Sequence, residues 1–203
     1  MFAPLRGEYL PLVAEAKLPA AFKKDAVAFD IGTGTGVIAA LLAQRGFARV
    51  IATDLNPRAL QCARENIQRL GLSKHVDVME ADLFPSGRAA LVVCNPPWVP
   101  ARPTSALEQA VFDPDSAMLR GFLTGVAEHL IVGGEAWLVL SDLAERLGLR
   151  TRKELLEWIK HGGLKVLERL DARPTHKKIA DESDPLHAAR AAEVTSLWRL
   201  AVV

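Results

Sequence analysis

The chain has 203 residues, half of them hydrophobic and 24% charged, with a net charge of +1. That is enough for a sizeable core in one domain, and it leaves no overall basic field of the kind that gathers nucleic acid, short of a local patch. No apolar run approaches the roughly 20 residues that span a membrane, Met1–Arg6 lacks a basic and apolar leader, and the two cysteines, Cys62 and Cys94, fit reduced thiols in a cytoplasmic protein.

Strands and helices alternate through the first two-thirds of the chain. Phe2 to Lys24 is too short and irregular for a domain and is expected to cap one edge of the sheet, or to be the remnant of a longer parent chain; residues 25–203 form the domain itself. Ala26–Phe29 reads as a strand leading into Asp30, and Val37–Arg45 as a helix ended by Gly46. Arg49–Asp54 is a second strand. Asn56-Pro57 then supplies a cap and a first-turn proline for a helix running to about Leu70. Val76–Glu80 is a third strand and Ala89–Cys94 a fourth, apolar throughout and therefore buried on both faces.

Pro100–Pro114 is a proline-containing loop suited to a substrate-facing lid. Ser116–Ile131 reads as a helix, Gly134–Leu140 as the fifth strand and Thr151–Lys160 as a helix before Gly162-Gly163. Lys165–Leu170 and Ser196–Val203 are two late strands with no helix between them, joined by a polar excursion over 171–194. The order predicts an α/β fold: a doubly wound, mostly parallel sheet with an antiparallel last strand.

Two places carry chemistry. The first is Asp30-Ile31-Gly32-Thr33-Gly34-Thr35-Gly36, where alternating glycines let the backbone turn tightly and approach a ligand. Gly34 to Ala39 fits G-x-G-x-x-G/A, with Asp54 20 residues after Gly34, so a nicotinamide dinucleotide is the rival reading. Asp30 separates the two. A carboxylate there repels a pyrophosphate by about 1–4 kcal/mol per charge pair near 4 Å. S-adenosylmethionine instead presents an ammonium and a sulfonium, which Asp30 attracts. Asp54 suits the two ribose hydroxyls, and Asp82 an adenine amine with Leu83 against the ring. The second place is Asn95-Pro96-Pro97-Trp98, which delivers a polar amide at a strand's carboxyl end, where open α/β sheets bind ligands. Two prolines of fixed φ lock it and an aromatic flanks it.

Asp30–Gly36, Asp54, Asp82 and Asn95–Trp98, in this order, resemble the class I S-adenosylmethionine-dependent methyltransferases. That resemblance implies a seven-stranded sheet with an antiparallel last strand. It also implies cofactor contacts from Asp30, Gly32, Thr33, Gly34, Gly36, Asp54, Leu55, Asp82, Leu83 and Asn95. The Asn-Pro-Pro-aromatic tetrapeptide is similar to that of enzymes methylating the glutamine amide of release factors, adenine N6, or guanine N2 in ribosomal RNA. Much of that group has Tyr or Phe where this chain has Trp98.

The resemblance implies that the Asn95 side-chain oxygen and the Pro96 carbonyl each accept one N–H of the acceptor, while Trp98 stacks on its plane. Macromolecular substrates are implied, either a protein glutamine or a nucleic-acid base, with a partner or a separate recognition domain as their reader. A non-catalytic subunit of the same fold is the remaining alternative. Arg6-Gly7-Glu8-Tyr9 resembles the stretch before the sheet that touches cofactor in such enzymes.

Other features read as structural. Cys62 and Cys94 read as core residues, and the histidines at 75, 129, 161, 176 and 187 have no metal-ligand spacing. Arg146, Arg150, Arg152 and Lys153, with His176-Lys177-Lys178 later, read as a solvated face, phosphate contact being the second reading.

Overall fold

The computed structural model describes residues 7–98, 113–173 and 187–203. Met1–Arg6, most of the loop expected as a lid, and His176-Lys177-Lys178 lie outside the described residues. Seven strands form one sheet: β1 (Val27–Ile31), β2 (Arg49–Asp54), β3 (Val76–Glu80), β4 (Ala89–Cys94), β5 (Leu130–Ser141), β6 (Leu164–Ala172) and β7 (Thr195–Val202). Their order is β3-β2-β1-β4-β5-β7-β6, with β7 antiparallel to both β5 and β6. The first five pair in parallel. This is the doubly wound sheet with an antiparallel last strand that the sequence predicts. Ligand sites in such sheets gather at the carboxyl ends of β1, β2 and β4, beside the point where the order reverses.

The helices are α1 (Tyr9–Glu15), α2 (Val37–Gln44), α3 (Pro57–Arg69), α4 (Ala117–Gly125), α5 (Leu143–Arg146), α6 (Arg152–His161) and α7 (His187–Ala191). Asn56 caps α3 as its sequence implies, its side chain accepting the Arg58 N–H at 3.0 Å. Three sequence expectations need correction. The helix expected over 116–131 ends at Gly125, passes through a single 3₁₀ turn over Val126–His129, and gives way to β5 at Leu130. The apolar Leu130-Ile131-Val132 extends either as helix or as strand by composition alone. Pairing with β4, Ala89 opposite Leu130, decides for strand. The short α5 and α7 were both missed, and α7 lies between the two late strands.

α1 packs against α2, β7 and β6, with Val13 and Ala16 in the core. The Arg45 guanidinium donates to the Val13 and Ala16 carbonyls at its end, and Glu8 accepts from the Thr195 hydroxyl at 3.0 Å. β4 is buried along its whole length.

The sheet also buries charge. Arg199 on β7 donates two parallel bonds to Glu135 on β5, at 2.9 and 2.8 Å. Glu135 also accepts from the Trp137 indole at 2.8 Å, and Glu168 takes a third Arg199 bond at 2.6 Å. Removing one member of such a pair strands the other charge and costs about 3–5 kcal/mol. Glu135→Ala is therefore expected to lower the melting temperature by roughly 10 °C, at about 2–4 °C per kcal/mol for a chain of this size. A thermal melt with a change under about 2 °C refutes the assignment.

Candidate active site

Asp30 ends β1 almost wholly buried, 1% exposed. One oxygen, Oδ2, accepts both the Thr33 hydroxyl at 2.6 Å and the Ala39 N–H at 3.0 Å. Among the described residues Oδ1 has no hydrogen-bond partner. The carboxylate thus ties β1 to the turn and to the first turn of α2, and keeps one oxygen for something else. Burial pushes its pKa up to about 6, against the pull of those two donors, and the charge of Asp54 adds to the rise.

The turn between them has positive φ at Gly32 (68°), Gly34 (56°) and Gly36 (79°). A Cβ on Gly36 would meet Ala63 on α3 at 3.2 Å, so this glycine permits helix–helix approach. A Cβ on Gly34 would meet nothing within 4 Å, so this glycine faces open space. Thr33, expected to touch cofactor, spends its hydroxyl on Asp30 and its N–H on the Thr53 carbonyl at 2.8 Å.

Asp54 ends β2. Its Oδ2 accepts the Gly34 N–H at 3.0 Å and its Oδ1 the Asn56 N–H at 2.8 Å. Each oxygen retains acceptor capacity, which a pair of hydroxyls can use. The neighbouring Leu55 is 57% exposed. Asp82 is exposed beyond β3, and Leu83 is half-buried at a φ of 62°, rare for a residue with a branched side chain. The Phe84 N–H donates to the Asp82 carbonyl at 3.0 Å, closing a γ-turn, and the Thr53 hydroxyl donates to the Leu83 carbonyl at 2.6 Å. Such a conformation costs on the order of 1–3 kcal/mol, and strain of this kind concentrates at ligand sites.

Asn95 follows β4 directly. Its Oδ1 accepts the Trp98 indole N–H at 2.9 Å, and Trp98 is 9% exposed. The sequence expects this ring to lie open for stacking; here it is folded back on the amide. The Asn95 amide lies beside the Tyr9 phenol and lowers its pKa. Burial, with the charge of Asp30, outweighs this and pushes Tyr9 up to about 12, so the phenol keeps its proton. Pro96 is buried and Pro97 half-buried beside it.

Sequence reasoning gave Tyr9 only as part of a stretch, and missed Asp113 altogether. The Asp113 carboxylate accepts the Met118 and Leu119 N–H groups at 2.9 and 3.1 Å and so fixes the start of α4, whose Met118 lies over Gly32. The signal was an acid a few residues before an apolar helix, hidden in a stretch that reads as loop. Cys94 is buried, with its thiol pushed well up by burial and by the charges of Asp30 and Asp113, which keeps it inert.

Comparison with known proteins shows the family of the chain and its fold. A family model described as "Methyltransferase small domain" matches residues 14–152. A release factor glutamine methyltransferase of Cereibacter sphaeroides is 37% identical over 127 residues, covering 56% of this chain and 46% of that protein. A tRNA1(Val) (adenine(37)-N6)-methyltransferase of Glaesserella parasuis is 41% identical over 73 residues, covering 34% of this chain and 31% of that protein. The chain thus spans less than half the length of these curated relatives. Among solved structures, a SAM-dependent methyltransferase from Thiobacillus denitrificans in complex with S-adenosyl-L-homocysteine matches with a TM-score of 0.63 at 16% identity, covering 100% of this chain and 92% of that one.

The raised pKa of Asp30 has a stability consequence. The folded state holds this proton more tightly than the unfolded chain, so the benefit is complete below about pH 4 and is lost as pH rises through about 6. At neutral pH the loss is about 3 kcal/mol. Asp30→Asn keeps an oxygen for Thr33 and Ala39 and removes the buried charge. It is expected to raise the melting temperature at pH 7.5 by several degrees and to leave it nearly unchanged at pH 4. A fall at pH 7.5 contradicts this.

Proposed function

The chain belongs to the methyltransferase small domain family, and we propose that it transfers the methyl group of S-adenosyl-L-methionine to a planar amide or exocyclic amine nitrogen of a macromolecule. The observation that carries this reading is the buried Asp30 carboxylate with one oxygen unspent, set beside an open glycine turn and a fixed amide at the end of β4. A group with an ammonium and a sulfonium fits that carboxylate; a dinucleotide's pyrophosphate does not. Asp30 attracts the cation, Gly32, Thr33, Gly34 and Gly36 shape the cradle, Asp54 with Leu55 takes the ribose, and Asp82 with Leu83 takes the adenine. Bound there, S-adenosylmethionine supplies an electrophilic methyl group.

The acceptor side is positional. Trp98 holds the Asn95 oxygen, which fixes the sense of the amide, and Tyr9 lies beside it. That oxygen and the Pro96 carbonyl accept the two N–H groups of the incoming nitrogen and localise its delocalised lone pair. The Asn95 oxygen retains a second lone pair while it holds Trp98, and the indole leaves it when the ring stacks on the acceptor plane. As the C–N bond forms, the methyl–sulfur bond would break with its electron pair left on sulfur; the acceptor nitrogen gains positive charge and then releases one proton to water, so no dedicated base is needed. Orientation of this kind contributes up to about 7–11 kcal/mol.

A protein glutamine, adenine and guanine all present the required planar nitrogen; the relatives named for release factor glutamine and for tRNA adenine support both classes. The same reading takes residues 25–203 as one domain, with the segment before it completing the site through Tyr9, and with a partner or a further domain as reader of the substrate. It assigns a cytoplasmic location, supported by the unpaired Cys62 and Cys94; among the described residues no helix is long and apolar enough to cross a membrane.

Asn95→Ala is expected to lower kcat by about a hundredfold or more while S-adenosylhomocysteine affinity stays within a few-fold. Radiolabelled methyl transfer into a methylation-deficient lysate, with calorimetry for the ligand, reads both. Undiminished transfer by the variant overturns the role of Asn95, and binding of NADH in place of S-adenosylhomocysteine overturns the whole reading.

A further inference from the structure

Of the basic residues near α5 and α6, three have acidic partners: Arg146 with Asp142 at 2.8 Å, Arg152 with Glu145 at 2.9 Å and Lys153 with Glu157 at 3.9 Å. Arg150 is different. It is 4% exposed, not part of a solvated face, and among the described residues it forms no ion pair, although the charges of Glu145, Asp113 and Glu154 act on it. Its guanidinium reaches one carbonyl, that of Ser141, over a long 3.4 Å, and its Nε–H is buried with no partner. Burial pushes its pKa down. A guanidinium N–H kept dry without a hydrogen bond is costly and needs an explanation.

Arg150 lines a cavity of about 280 Å³ together with Ser116, Arg120, Trp158 and the acids Asp115 and Glu154. Arg120 lies over the Trp158 ring, 5.6 Å from its centre, which holds its planar guanidinium in place. Among the described residues neither acid forms an ion pair with either arginine, although the charges of Glu154 and Arg150 attract each other. Glu154 is committed to α6, where it accepts from the Thr151 N–H and hydroxyl, both at 2.7 Å. Two arginines thus line one small cavity, and Arg150 keeps a buried donor unspent. The cavity belongs to the reactive end of the sheet: Cys94 pairs with Leu138 across β4 and β5, and Ser141 lies three residues further, roughly 10 Å along the strand.

We propose that this cavity seats a phosphate group of the acceptor, and that the acceptor is therefore a nucleotide of a nucleic acid rather than a protein glutamine. The inference rests on the N-methyltransferase reading and narrows it. A phosphate offers several oxygens to two arginine forks at once, a match that a lone carboxylate makes less well, and the carboxylates already in the cavity do not make it. The cavity lies at the same end of the sheet as Asn95, which follows Cys94 directly. The net charge of +1 is no obstacle, because one seated phosphate needs a local pair of arginines and not a basic face.

The test compares adenosine, AMP and a short glutamine-containing peptide by calorimetry on the full chain, with saturating S-adenosylhomocysteine. AMP is expected to bind about tenfold or more tighter than adenosine. Arg150→Gln and Arg120→Gln are each expected to erase most of that difference and to leave S-adenosylhomocysteine affinity unchanged. If Arg150→Gln fails to fold, the exposed Arg120 carries the test alone. Equal binding of AMP and adenosine, an advantage that survives Arg120→Gln, or binding of the peptide in preference to AMP overturns the phosphate seat. Failure to bind S-adenosylhomocysteine at all overturns the reading beneath it instead.

Discussion

A carboxylate buried where water cannot serve it organises the carboxyl end of this sheet. Asp30 takes two donors on one oxygen, and those two donors are the start of the turn and the start of α2. Asp54, one strand over, takes the Gly34 N–H, so the same turn is pinned from both sides by acids whose charges oppose each other. The geometry of the cradle is thereby fixed before any ligand arrives, at the expense of an electrostatic penalty. A cationic ligand is the natural relief of that penalty, because it restores to Asp30 what burial removed. The charge is also felt by Tyr9 and Cys94, which links the cradle to the amide at the end of β4.

That amide is held by its own neighbourhood. Trp98, three residues on, takes the oxygen, and Tyr9, from the first helix, lies beside it. An unrestrained primary amide can present either end to an acceptor, with opposite hydrogen-bonding sense. The Trp98 indole N–H removes that ambiguity. Trp98 makes a hydrogen bond that Phe lacks, so its presence changes more than the size of the pocket.

The sheet was largely legible in the sequence because its strands are short apolar runs between strong breakers. β2, β3 and β4 begin and end where those runs do, at Arg49–Asp54, Val76–Glu80 and Ala89–Cys94. Asp30 and the glycine turn were legible for the same local reason. What failed to show depends on contacts far along the chain. The helix expected over 116–131 lost its end to pairing with β4. Tyr9 looks like one aromatic in an irregular opening, and nothing nearby says it meets Asn95. Arg150 stands in a charge run whose other members find acids, and sequence does not say which member goes without.

The place of β7 between β5 and β6 ties distant parts of the chain to the site. The strand that runs from Thr195 to Val202 lies between two strands that both precede it in sequence. Glu8 is bonded to Thr195 across a separation of 187 residues, and α1 rests on β7 and β6. The helix that carries Tyr9 is therefore seated on the strand farthest from it in sequence, so that whatever loosens β7 also loosens the wall beside Asn95.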